Sequence, residues 1–417
     1  MGAGGASVRG PVRRLAVSLV LCLAATAAGC TRPAKEKTPD AGPPPVAHLP
    51  ELLPAPAPWS FARARGDAGI ALPERCRYRA PTVRADVPGT SRFVAEPGTL
   101  GGLIVADSAD SPPRLTGVAA LTLDPAGATR DPVRLPWFDA EALPRLSRSD
   151  GRWVAAIDGA GAAGTARVTL WRGGEAEVVG EGDGFEATDL ACSGSRCALL
   201  TSRIARVAVP GAIVWLGAPG EPASRWRPVE IVPALADSDA RPVGLAAIEA
   251  DGRATAALLE KGVVIFVGAG EAGAHETGRI PAPPGVLDAA MVPRPVVLAS
   301  ASKVDDDGCA RDGKPGVRLA REGAPPVDFA LPAPPQRGVL RRLSRGALAA
   351  WITPIGCRSA RRVVYALVLD EVGAPVGAPV PIVDATGFAV ATKGDDVDVF
   401  LQDATSVTWV RATCAAR

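Results

Sequence analysis

Asparagine is absent from all 417 residues, and histidine occurs only twice, at His48 and His275. The missing Asn, beside abundant Ala, Gly, Pro, Arg, Val and Asp, is the imprint of GC-rich codons, so helix propensity read from alanine carries little weight. Two histidines, one of them close to the N-terminus, exclude a body site that needs two imidazoles from one chain. Aromatic residues make up 4%, and the scattered tryptophans suit the packing of strands better than a sugar-stacking platform. A charge surplus is also missing. The first 29 residues hold three of the 46 basic side chains and none of the 44 acidic ones, which leaves the remainder near neutrality. Nucleic-acid binders usually show a basic excess, so a nucleic-acid partner is excluded. No Gly-x-Ser-x-Gly elbow occurs, and after residue 30 no apolar run is long enough to cross a hydrocarbon layer of about 30 Å.

What is present begins at the N-terminus. Arg9, Arg13 and Arg14 precede a short apolar run from Leu15 to Leu23, and Ala27-Ala28-Gly29-Cys30 closes it at a small-residue cleavage site. This layout resembles a bacterial lipoprotein signal, which implies lipidation at Cys30, a membrane contact through that lipid and a place in the cell envelope. Thr31 is not the Asp that resembles an inner-membrane retention signal, so outer-membrane sorting is expected. Residues 1–29 are read as signal and 30–74 as a tether rich in Pro and Ala, with Pro43-Pro44-Pro45 and the alternating run to Pro58. Such a segment favours extended polyproline conformations and buries no core.

From residue 75 to 417, apolar runs of four to eight residues alternate with Gly, Pro and Asp turns, and no stripe of helical period persists. One unit recurs: a weak strand, a tight turn, then a stronger strand. Its turns fall near Gly98, Gly151, Gly194, Gly252, Pro293, Gly346 and Gly394, roughly 49 residues apart, within the range of propeller blades. Two more strands follow each hairpin. The expected fold is therefore an all-β, seven-bladed β-propeller. Six or eight blades, or two β-sandwich domains, are the alternatives.

Once Cys22 and Cys30 are set aside, six cysteines remain, and an exported protein meets oxidising conditions. Cys192 and Cys197 flank a hairpin turn and are expected to pair across it. Cys309 and Cys357 occupy equivalent loops of the fifth and sixth blades, which predicts a clasp between them. Cys76 and Cys414 would lock the ring if the last blade took its outer strand from the residues after Cys76. In the chain-entropy view that bond is worth roughly 4 to 5 kcal/mol.

Four further features invite chemistry. Asp305, Asp306, Asp307 and Asp312 crowd one loop and could hold Ca²⁺, although the spacing is not that of an EF-hand, and a solvated turn offset by Arg311 is the plainer reading. Gly159 to Gly164 and Gly268 to Gly273 match a dinucleotide-binding pattern, but strand-like sequence follows the first and prolines the second, where a helix is required. His275 lacks a recognisable nucleophile partner. Arg341, Arg342, Arg345, Arg358, Arg361 and Arg362 form a basic stretch that either attracts an anion or pairs across blades. The composite expectation is a lipid-anchored binding or assembly scaffold, with a protein or polysaccharide partner on a loop face. A calcium-dependent polysaccharide-cleaving or hydrolytic enzyme, or a passive display module, are the rivals.

Overall fold

The computed structural model describes residues 59–415, apart from residue 60 and the segments 64–69, 88–91, 96–98, 111–112, 136–142, 162–164, 204–210, 233–239 and 284. The signal, Cys30, the proline-rich run and the turn at Gly98 lie outside the described residues. The body is a seven-bladed β-propeller of antiparallel four-stranded sheets. Blade 3, for example, runs Phe185–Ser193, Arg196–Arg203, Gly211–Gly217 and Arg227–Val232 in spatial order. The first strands of blades 2 to 7 touch in succession, that of blade 7 touches that of blade 1, and together they form the inner wall.

Six blades close on a contiguous stretch of chain. The seventh combines Gly387–Lys393, Asp396–Gln402 and Ser406–Cys414 with Val83–Asp86, which pairs with the third strand as the fourth. Cys76–Tyr78 continues the same edge, with Cys76 opposite Cys414. The packed body starts ahead of residue 75, where sequence reasoning placed its beginning. Ala62–Arg63 pairs with Val83–Asp86, and Trp59, Phe61 and Ile70 are buried.

Strand alternation explains why the ring stays together. Each sheet is covered on both faces, so its second strand must be apolar at nearly every position. In blade 4, Ala254, Ala256 and Leu258 pack toward blade 3, whereas Ala257 packs toward blade 5. The seven buried clusters correspond to the seven blade interfaces, one to each pair of neighbours, including the 7–1 seam. At that seam Trp59, Phe61, Phe93, Phe400 and Trp409 form a chain of aromatic contacts with centroids 5.6–6.4 Å apart.

Turn chemistry sets the hairpins. Asp150 and Gly151 both have positive φ, 48° and 78°, the two-residue turn whose twist matches that of the flanking strands. Gly338 serves another purpose: a Cβ there would stand 2.7 Å from Leu298 Cδ2 of blade 5, so glycine lets the inner strand of blade 6 approach its neighbour.

Candidate functional site

The inner strands surround a cavity of about 450 Å³, lined by residues of blades 3 to 7. Two carboxylates define its wall. Asp189 of blade 3 accepts the backbone N–H groups of Leu190 and, from blade 4, Leu245, both at 2.8 Å. Asp288 of blade 5 repeats the device, accepting Ala289 N–H at 2.9 Å and Leu340 N–H of blade 6 at 2.7 Å. Each side chain thus bonds its own strand and the next blade, which fixes the inner strands at a set distance. Arg341 Nη1 reaches Asp288 Oδ2 at 3.3 Å. Burial raises the Asp288 carboxyl above its ordinary range; Arg341 and the two amides draw it back, and Asp189 adds to the rise.

The two ends of the channel differ. Toward the turns that join inner and second strands, the arginines are engaged. Arg148 donates to Gly151 O and Thr122 Oγ1, each at 3.2 Å, and Arg342 faces Glu249 at 3.7 Å across the position of blade 5. At the opposite end, where the inner strands begin, Arg92, Arg145, Arg241 and Arg337 open the strands of blades 1, 2, 4 and 6. Among the described residues, none of these four side chains makes a hydrogen bond or an ion pair. Arg337 lies over the ring of Phe388 at 5.5 Å, and the Nε of Arg145 is buried without a partner. Asp158 and Glu186 stand near Arg145. Burial raises both carboxyls; Asp158 is lowered again by the Ala187 N–H and then by Arg145, Glu186 by the Ser202 hydroxyl and more weakly by Arg145.

The three disulfides form as the cysteine spacing implied: Cys192–Cys197, Cys309–Cys357 and Cys76–Cys414. Cys192 also lines the cavity. The aspartate-rich loop belongs to blade 5, between its second and third strands. Asp305 Oδ1 accepts the N–H groups of Asp307 and Cys309, Asp312 accepts that of Lys314, and Asp307 pairs with Arg358 of blade 6. Asp305 and Asp312 thus cap their own turns while Asp307 is drawn to the next blade. Among the described residues no group of three or more His, Cys, Asp or Glu side chains is placed to hold a metal ion.

The basic stretch resolves into separate partners: Arg341 with Asp288, Arg358 with Asp307 and Arg361 with Asp384. His275 sits on the exposed outer strand of blade 4 opposite Gly268, away from the channel. Strands flank both glycine-rich matches, so neither meets the helix that a pyrophosphate site needs. Sequence reasoning missed Asp189 and Asp288. Their signal was a carboxylate directly ahead of small apolar residues in two inner strands, Asp189-Leu190-Ala191 and Asp288-Ala289-Ala290.

No protein-family model and no curated protein matches the chain. Solved structures do. The β-propeller domain of the Trilobed protease from Pyrococcus furiosus, described as having an open velcro topology, aligns at TM-score 0.45 and 8% identity, covering 77% of this chain and 95% of that one. A prolyl endopeptidase aligns at TM-score 0.38 and 16% identity, covering 75% of this chain and 45% of that one, so the chain spans less than half of that enzyme. A subtype N10 neuraminidase-like protein of A/little yellow-shouldered bat/Guatemala aligns at TM-score 0.39 and 10% identity, covering 82% and 99%.

Proposed function

We propose that this chain is an exported, lipid-anchored envelope protein whose propeller acts as a binding or assembly scaffold. The observation that carries the reading is the cysteine economy: all six cysteines after Cys30 are spent in three disulfides, as suits an oxidising compartment. The signal-like N-terminus and its Cys30 agree with that address. Binding is favoured over covalent chemistry because the cavity's two carboxylates are occupied in holding blades together and its neighbouring histidine supply is nil among the described residues. Anchorage at the outer membrane follows from Thr31 and is part of the proposal.

The test is metabolic labelling with palmitate in a bacterial host, followed by fractionation and thiol counting. Label should enter the wild-type chain and be lost from Cys30→Ser, which should leave the membrane fraction, and the body should show no free thiol. A chain that stays in the cytoplasm with reduced cysteines would overturn the reading. Crosslinking in intact cells then tests the scaffold role: a defined adduct that survives washing and is lost on competition with the purified body supports it, and its absence under saturating crosslinker counts against it.

A further inference from the structure

The end of the channel at which the inner strands begin has an order that its local chemistry does not explain. Arg145, Arg241 and Arg337 are each the first residue of an inner strand, in blades 2, 4 and 6. They recur at intervals of 96 residues, two blades apart. Ring closure therefore distributes three guanidiniums around one mouth on alternate blades, with Arg92 of blade 1 as a fourth. Among the opening two residues of the seven inner strands Glu186 is the one acid, and Asp158 of the second strand of blade 2 joins it near Arg145, so four cations meet two carboxylates. In a chain of nearly balanced charge, such one-sided placement at a single ring of positions is a local excess.

Guanidiniums are costly to crowd against their like, and although Asp158 and Glu186 stand near Arg145, none of these four side chains makes a hydrogen bond or an ion pair among the described residues. At the other end of the same strands, Arg148, Arg341 and Arg342 all have partners. Arg337 is lowered below its ordinary range, first by burial and then by the charge of Arg341, with Asp288 opposing and Arg145 adding a smaller repulsion. Each of these pressures is relieved by a bound anion. The fork of an arginine matches the oxygens of phosphate, sulfate or carboxylate, and Arg145 keeps a buried, unused Nε–H for such an acceptor.

We propose that Arg145, Arg241 and Arg337 form an oxyanion site at this mouth, which receives a small ligand bearing a phosphate, sulfate or polycarboxylate group. Arg92 extends the site at its rim. The inference rests on the reading of the body as a binding module and supplies that module with a ligand class.

The experiment is calorimetric titration of the full chain, kept in detergent with its lipid, using inorganic pyrophosphate and citrate as soluble probes. Vesicles of phosphatidylglycerol form a separate arm. Soluble anion should bind at one site, with affinity falling as salt rises. Arg145→Gln and Arg337→Gln should each weaken it about tenfold, the loss expected for one charge-assisted contact. Arg337→Lys should recover part of the loss, and Arg148→Gln, at the opposite end, should stay within about twofold of the wild type. Melting curves and far-ultraviolet dichroism unchanged in the variants would show that binding, not folding, was altered. The site is overturned if neither soluble anion binds at millimolar concentration, if the Gln variants bind as the wild type does, or if only vesicles bind. None of these outcomes touches palmitate labelling at Cys30, so the anchor reading stands or falls on its own.

Discussion

The blade that the chain completes with its own beginning is built differently from the six it makes in one pass. Blades 1 to 6 join each strand to the next in sequence, mostly through turns, so their pairing is local and their closure cost small. Blade 7 has no turn between its third strand and the strand from Val83 to Asp86; the two meet from opposite ends of the body. It compensates with a disulfide spanning 338 residues, an aromatic chain and a buried carboxylate, Asp398, which accepts Gly101 N–H of blade 1 at 2.6 Å and Arg79 at 3.0 Å. What covalent continuity supplies free elsewhere, the seam must assemble from side chains.

Removing these substitutes one at a time tests that contrast. Cys76→Ser with Cys414→Ser should have the largest effect, a loss of about 5 kcal/mol in the chain-entropy view, read as a fall in denaturant midpoint. A loss below about 1 kcal/mol would mean that the seam holds by packing alone. Trp59→Ala should cost about 3 kcal/mol, because Trp59 is 3% exposed and meets Phe61 and Phe93. An effect near zero would show that Trp59 adds nothing to the seam. Asp398→Ala should cost about 2 to 3 kcal/mol by stranding a buried amide and Arg79.

Asp398 also carries a pH signature. Burial raises its carboxyl above the ordinary range, and Gly101 N–H and Arg79 only partly oppose this. A raised carboxyl gives its stabilisation in full below the unfolded value and loses it as pH climbs through the folded one. The melting difference between wild type and Asp398→Asn should therefore shift toward the Asn variant as pH rises from about 4. A shift in the other direction would show that Arg79 outweighs burial.

Within a continuous blade the same operations should matter less. Reducing Cys192–Cys197, which closes a separation of 5 residues across an existing hairpin, should cost about 2 kcal/mol or less. A larger penalty would erase the difference between seam and blade. Smallest of all, chelating calcium should move the melting temperature by less than about 1 °C, since Asp305 and Asp312 are occupied by their own turns. A clear fall would restore the aspartate loop as a cation site.

The fold was legible because its determinants are local. Apolar second strands, buried on both faces, stand out against turns such as Asp150-Gly151, and the cysteine pairs follow once strand register is known. The strap was not legible, since Ala62–Arg63 is too short and too near prolines to announce a strand, and the side chains that bury Trp59 and Phe61 include Phe400 and Trp409, hundreds of residues away. The channel was hidden for a related reason. Asp189 and Asp288 read as isolated polar residues in weak strands until the ring brings them to one cavity, and the arginines at 145, 241 and 337 read likewise until it sets them at the start of alternate inner strands. The glycine-rich matches failed because glycine serves hairpins here, as at Gly273 with φ of 96°.

The bond between Cys76 and Cys414 also has a mechanical meaning. Any pull arriving from upstream of Trp59 first loads Ala62–Arg63, a pairing of two residues that would peel away at low force. Unzipping can then travel only as far as Cys76, where tension passes through sulfur into the final strand, which is hydrogen-bonded along its length to Asp396–Gln402. A ring fastened this way can be pulled from the side of Trp59 without being unwound.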